Sequence, residues 1–93
     1  MVKHVILWQL KDGADKAKIK EGLEGLDGKI PGMTYIHVEI DPLESSNCDA
    51  MLECEFVDFD SLKGYAVHPL HVEVAETFIR PFIDTRLAYD FEK

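Results

Sequence analysis

The sequence has little cysteine. Two of its 93 residues, Cys48 and Cys54, are cysteines. If both lie on one strand, a rise of about 3.3 Å per residue places them about 20 Å apart. A disulfide needs Cα atoms within about 7 Å of each other. A disulfide within one chain is therefore excluded, and we expect two core thiols in a reducing compartment.

The sequence also lacks long apolar runs and an excess of positive charge. No stretch approaches the ~20 apolar residues that a membrane-spanning helix needs. The first ten residues carry Lys3, His4 and Gln9 and are not followed by a small-residue cleavage site, so no signal peptide is expected. The formal net charge is −8, from 18 acidic and 10 basic side chains, and a phosphate backbone would be repelled. These features predict a soluble cytoplasmic protein with neither nucleic acid nor membrane as a partner.

What is present suffices for one folded domain, residues 1–93. Hydrophobic residues make up 46% of the chain, at a length near the lower end of what a single core can stabilise. Apolar residues that alternate predict strands, and apolar spacings of three and four predict helices. In chain order, the patterns predict a strand at Val2–Leu10, a helix from an N-cap at Asp12 to Ile30, strands at Thr34–Ile40 and Cys48–Val57, helices at Asp58–Val67 and Pro69–Ile79, and a strand at Asp84–Phe91.

With the two helical segments around Pro69 counted as one, this order is β-α-β-β-α-β, that of the ferredoxin-like α+β fold, an antiparallel sheet with its helices on one face. The first strand, however, carries large apolar groups on both faces. Since the helices cover one face only, a second copy of the chain is the simplest cover for the other. We therefore predict a homodimer that forms a dimeric α+β barrel, with His4, Ile6 and Trp8 or their neighbours in the interface.

The segment YAVHPLHVEV, residues 65–74, holds two histidines three residues apart. His71 shares a helix face with apolar residues, near a helix N-terminus, so we expect it to be partly buried. Burial and the helix dipole both disfavour imidazolium, which predicts a neutral His71 at pH 7. His68 precedes Pro69 in a cap position, and Tyr65 is close enough to reach His71.

Three interpretations of this segment remain open. A metal site formed by His68 and His71 would need at least one further protein ligand, and none is evident, so we expect no metal. A structural interpretation makes His71 a hydrogen-bonded core residue and His68 a helix cap. An acid–base interpretation places Tyr65 and His71 together in a pocket.

Several segments together resemble one known family. VKHVILWQL at the start, IPGM after the first helix, YAVHPLHVEVAETFIRP and the ending RLAYDFE resemble the stress-responsive A/B barrel domain family, Dabb, over essentially the whole chain. The resemblance implies a ferredoxin-like α+β fold that forms a dimeric barrel. It does not fix a reaction, because most members of the family have no assigned one.

The resemblance also implies candidate site residues. One plant relative, olivetolic acid cyclase, closes a linear polyketide by aldol condensation with a histidine and a tyrosine that match His71 and Tyr65. A further pocket histidine on its first strand matches His4. By that likeness, His71 would remove a proton alpha to a carbonyl, and Tyr65 would orient His71 or bind the developing oxyanion. No cofactor is implied.

The chain departs from that cyclase in the expected pocket. Trp8 would narrow a cavity lined by His4 and Ile6. Arg86 and Asp90 share a face of the last strand, where a long alkyl chain would need aliphatic side chains.

A small or anionic ligand suits Arg86 better, unless Arg86 only forms an ion pair with Asp84, Asp90 or an acid of the partner chain. Three functions stay open. The first is a barrel that binds a small molecule or only holds a dimer together. The second is a small cyclase, lyase or isomerase, and the third is a cofactor-free monooxygenase of the kind found among related dimeric barrels.

Overall fold

A computed structural model describes all residues from 1 to 93 and shows a four-stranded antiparallel sheet with strand order β2-β3-β1-β4. The helices cover one face of this sheet, which confirms the predicted ferredoxin-like α+β fold. None of the helices is long and apolar enough to cross a membrane. The elements are β1 Val2–Leu10, α1 Lys16–Glu24, β2 Met33–Glu39, β3 Ala50–Phe56, α2 Phe59–Val67, α3 Pro69–Val74, a π-helical turn Ala75–Ile79, a 3₁₀ turn Arg80–Phe82, and β4 Ile83–Glu92.

The central strand β1 pairs with β3 on one side and with β4 on the other. Four alternate residues of β1 are buried beneath the helices: Val2, His4, Ile6 and Trp8. The three apolar ones belong to the hydrophobic core. Of the two predicted alternatives, that with His4, Ile6 and Trp8 themselves in the dimer interface is therefore wrong. Their neighbours in β1 occupy the open face of the sheet instead. Because β1 is apolar on both faces, its periodicity could not indicate which face the helices cover.

Helix α1 begins later and ends earlier than predicted. The side chain of Asp15, rather than Asp12, caps it by accepting a hydrogen bond from Lys18 N at 3.1 Å. After Glu24 the chain continues as tighter turns in which, for example, Leu26 N donates to Leu23 O at 3.0 Å. Leu26 remains buried in these turns, which is why its spacing looked helical.

The helical segment after Pro69 is also not uniform. It is α-helical only to Val74 and then widens into a π-helical turn before β4. Ala75 and Ile79 of that turn are both buried against the core. The wider turn therefore keeps apolar side chains on the sheet beyond the end of the α-helix.

Both cysteines are free thiols. Cys54 is buried on the helix side of β3, as expected of a core thiol. Cys48 lies half-buried before the start of β3 and so outside the strand in which it was predicted.

Two glycines with positive φ differ in how closely they are packed. Gly28 has φ +77° and no atom near its missing Cβ, whereas Gly32 has φ +78° and lies against Ser61. A Cβ at Gly32 would overlap Ser61 Oγ and lie 2.5 Å from Ser61 Cβ. Ser61 cannot move away freely, because its Oγ donates to Asp58 Oδ1 at 2.7 Å.

We expect Gly32→Ala to be much more destabilising than Gly28→Ala. Both alanines meet the left-handed backbone cost of about 1–2 kcal/mol, and only the one at position 32 adds an overpacking cost of about 1–3 kcal/mol. Urea denaturation of the two variants measures the difference directly. Equal free energies of unfolding for the two variants would show that close packing against Ser61 does not contribute to the cost of Gly32→Ala.

Candidate functional site

A cavity of about 270 Å³ lies between the helices and the sheet. This volume is just below the ~300–1,000 Å³ usual for small-molecule sites. Most of the residues that line the cavity are apolar. All the site residues predicted from the sequence contribute to its wall, namely His4, Ile6, Trp8, Tyr65, His71 and Arg86.

His71 stands in the first turn of α3, half-buried at the edge of this cavity. Its Nδ1 lies 3.3 Å from the carbonyl oxygen of Ala66, which can only accept, so Nδ1 carries the proton and donates. Burial lowers the pKa of His71 below its ordinary value, opposed by the hydrogen bond to Ala66 and reinforced by the nearby positive charges of Arg80 and Arg86. A neutral His71 with Nδ1 protonated leaves Nε2 as an unprotonated base.

Tyr65 of α2 lies beside His71, with ring centroids 4.2 Å apart, and is 2% exposed. Its hydroxyl makes no hydrogen bond of normal geometry within the protein, and the thiol of Cys54 is a polar group beside it. Burial raises the pKa of the phenol well above its ordinary value, so the hydroxyl stays protonated and can donate. The neighbouring Cys54 is not a nucleophile at neutral pH, because burial raises the pKa of its thiol to about 12.

His4 is held by Asp90, its direct partner across β1 and β4. Nδ1 of His4 is hydrogen-bonded to Oδ1 of Asp90. This pair fixes the orientation of the imidazole, whose ring centroid is 6.1 Å from that of Tyr65. The sequence placed Asp90 on the correct face of β4 but gave no reason to pair it with His4, because the register of the two strands was unknown.

Arg86 is the cross-strand partner of Trp8 and forms no ion pair in this chain. The alternative prediction of an ion pair with Asp84 or Asp90 is therefore wrong within the subunit, since Asp90 is engaged by His4 instead. The indole N–H of Trp8, a residue only 3% exposed, has no acceptor in the protein.

Arg80 also lines the cavity, a role that sequence reasoning missed. It sits just after the π-helical turn, and its guanidinium lies 3.3 Å from Glu76. Regular helical spacing would not have placed it on the cavity side with His71, because the turn widens before it. In the sequence, only the position of this charged residue at the end of an otherwise apolar helix face could have indicated that Arg80 lines the cavity.

His68 stays outside the cavity and caps α3, where its Nδ1 accepts from Leu70 N at 3.2 Å. This is the role that the structural interpretation gave to it. The structure contains no cluster of three or more histidine, cysteine or acidic side chains arranged to hold a metal ion.

We expect an NMR titration to give His71 a pKa below 6.5 and His71→Gln to change how stability depends on pH. Because folding lowers this pKa, the unfolded chain binds the proton more tightly. The free energy of unfolding should therefore decrease as the pH falls from about 6.5 towards the folded pKa of His71. This part of the pH dependence should vanish in His71→Gln.

The carboxylates do not obscure this window. Glu24, Glu55 and Asp58 also have lowered pKa values, from ordinary values of 4.5 and 3.8, so their contributions are lost only at lower pH. The difference in denaturation midpoint between the wild type and His71→Gln should change between pH 7 and pH 5. A constant difference over this range would contradict the lowered pKa of His71.

The chain is similar to known proteins over nearly its full length. The model of the family described as "Stress responsive A/B Barrel Domain" (Dabb) matches residues 2–93. Stress-response A/B barrel domain-containing protein HS1 of Arabidopsis thaliana is 33% identical over 98% of this chain and 88% of its own length. A second, longer stress-response A/B barrel domain-containing protein of the same plant is 28% identical over 98% of this chain, which spans only 36% of that relative.

Solved structures agree with these matches. A dimeric protein of unknown function with a ferredoxin-like fold, from Bacteroides fragilis, superposes with a TM-score of 0.89 at 28% identity, covering 99% of this chain and 95% of that one. The match of the family model over residues 2–93, together with the shared fold, shows that the chain belongs to the stress responsive A/B barrel domain family.

Proposed function

We propose that the cavity binds a small carbonyl compound and catalyses proton transfer at the carbon next to the carbonyl. The observation that carries this proposal is the ring contact between His71 and Tyr65, with centroids 4.2 Å apart, in one mostly apolar cavity where the Tyr65 hydroxyl has no protein acceptor. A base and a hydrogen-bond donor placed side by side are what enolisation requires.

The reaction follows from the two groups. Nε2 of His71 takes the proton as the C–H bond breaks, and the bonding electrons form the enolate. The negative charge develops on the carbonyl oxygen, to which the Tyr65 hydroxyl donates a hydrogen bond. Because the surroundings are largely apolar, that hydrogen bond is stronger than it would be in water.

Two outcomes are open to the enolate. Return of the proton from His71 to a different atom gives an isomerisation. Attack of the enolate carbon on a second carbonyl of the same molecule forms a carbon–carbon bond and gives an aldol cyclisation, in which the proton on His71 goes to the new alkoxide. Both use acid–base chemistry of the protein's own side chains, as in a small cyclase, lyase or isomerase.

We expect His71→Gln to abolish proton exchange while leaving the fold intact. Incubation of small ketoacids and β-diketones in D₂O, followed by ¹H NMR, measures deuterium incorporation at the alpha carbon. Loss of the general base should slow the enzyme-dependent exchange by about 10²–10⁴-fold. Tyr65→Phe should reduce it less, and should not reduce stability, because it removes a hydroxyl without a partner.

His37→Gln is the matched control, because His37 lies outside the cavity and contacts Glu24 and Glu39. The His37→Gln variant should catalyse deuterium incorporation at the same rate as the wild type. If wild type, His71→Gln and His37→Gln behaved alike across the panel, His71 would be a packing residue and the cavity at most a binding site.

We also propose that the chain forms a homodimer through the open face of its sheet. The helices leave that face uncovered, and on it Leu87 of β4 is 59% exposed and Tyr89 is 71% exposed. Val5 and Leu7 of β1 pair with these two residues across the strands and extend the apolar surface. An apolar sheet face of this kind is the usual signature of a protein interface, and the similar protein from Bacteroides fragilis is dimeric.

We expect Tyr89→Glu to dissociate the dimer. Each dimer would bury two carboxylates without partners, and each costs more than the ~1–3 kcal/mol of a neutral polar group, so its Kd should rise by tenfold or more. Val67→Glu is the control, since Val67 on α2 is similarly exposed, at 74%, but lies on the other side of the molecule. Sedimentation equilibrium of the two variants decides the matter, and equal masses for both would place the interface elsewhere.

A further inference from the structure

The cavity is positively charged in an acidic protein. The chain carries a net charge of −8 and has only two arginines, Arg80 and Arg86, and both line this cavity. No lysine lines it. Arginine is also the basic side chain whose planar group matches a carboxylate in a two-point contact.

Arg86 and Trp8 are placed to act on one ligand group. They are direct partners across the antiparallel strands β4 and β1, so their side chains leave the same face of the sheet with Cβ atoms about 4.5–5.5 Å apart. Arg86 has no acidic partner, and the buried Trp8 N–H has no acceptor. A buried donor without a hydrogen-bond partner destabilises the folded protein. An oxygen atom of a bound ligand would accept a hydrogen bond from the Trp8 N–H.

The other charges near this pair do not neutralise it. Asp90 and Glu92 lie on the same face of β4 as Arg86, but the carboxylate of Asp90 is bound to His4, and Glu92 stands at the other end of the strand, opposite Val2 and near the N-terminal amine. Arg80 contacts Glu76, but that contact lies on the exposed surface, where the attraction is weak. The rim of the cavity therefore keeps a positive charge at Arg86, whose side chain is exposed.

We infer that Trp8 and Arg86 form a carboxylate-binding subsite, so that the ligand of this cavity is a small oxoacid. The inference rests on the proposed function for the other end of the ligand, where His71 and Tyr65 act on the carbonyl. The cavity volume of about 270 Å³ restricts the ligand to a short chain. Trp8 thus both narrows the cavity and supplies a hydrogen bond to the carboxylate.

The test compares oxoacids with their uncharged methyl esters. The probes are 2-oxobutanoate, 3-oxobutanoate and 4-oxopentanoate, each titrated beside its ester into ¹⁵N-labelled protein and followed by NMR. At least one acid should bind the wild type tenfold or more tightly than its ester, since a charged hydrogen bond is worth about that factor. Arg86→Gln should remove this preference, and Trp8→Phe should reduce it.

Lys63→Gln is the charge-matched control, because Lys63 lies on the surface of α2 and pairs with Asp60. It should keep the preference of the wild type. Equal affinities for acid and ester across the panel, or no binding at millimolar concentration, would overturn the inference. So would an Arg86→Gln variant that keeps the preference but no longer dimerises, which would make Arg86 part of an ion pair between subunits.

The same samples separate this inference from the proposed function. An acid preference that depends on Arg86, combined with no deuterium incorporation, would leave the subsite standing and remove the proton-transfer chemistry. Deuterium incorporation that depends on His71 but is equal for acids and esters would support the proton-transfer chemistry and contradict the carboxylate subsite.

Discussion

The register in which β1 lies between β3 and β4 determines the rest of the structure. It pairs His4 with Cys54 on one side and with Asp90 on the other, and it pairs Trp8 with Arg86. A shift by one residue would turn each of these side chains to the opposite face of the sheet. The cavity would then lose His4 and Trp8, and the core beneath the helices would lose Ile6.

The cavity holds features that favour ligand binding at the expense of stability. The two buried side-chain polar atoms without hydrogen-bond partners, the Trp8 N–H and the Tyr65 hydroxyl, both belong to residues that line it. Each donor without a partner costs about 1–3 kcal/mol, in a domain whose total stability is of the order of 5–15 kcal/mol. Phenylalanine at either position would avoid that cost. The presence of donors in an otherwise apolar wall supports a site for an oxygen-bearing ligand.

The sequence was sufficient for the fold and for much of the cavity, but not for its details. Alternation in the strands and the position of Pro69 gave the element order, and the apolar spacing around His71 placed it correctly. The side of β1 that faces the helices could not be predicted, because both sides are apolar. Nor could the pairing of His4 with Asp90, which depends on a strand register between residues 86 positions apart. Arg80 was missed because the change from α-helix to π-helical turn after Val74 breaks the period on which the prediction relied.

Strand β4 links the cavity to the open face of the sheet. Arg86 and Asp90 lie on its helix side, while Leu87 and Tyr89 lie on its open side, one position away along the same backbone. β4 is an edge strand, held to the sheet only by β1, and edge strands are more easily displaced than central ones because they are paired on one side only. A subunit that packs against Leu87 and Tyr89 would therefore also restrict the backbone that carries Arg86 and Asp90.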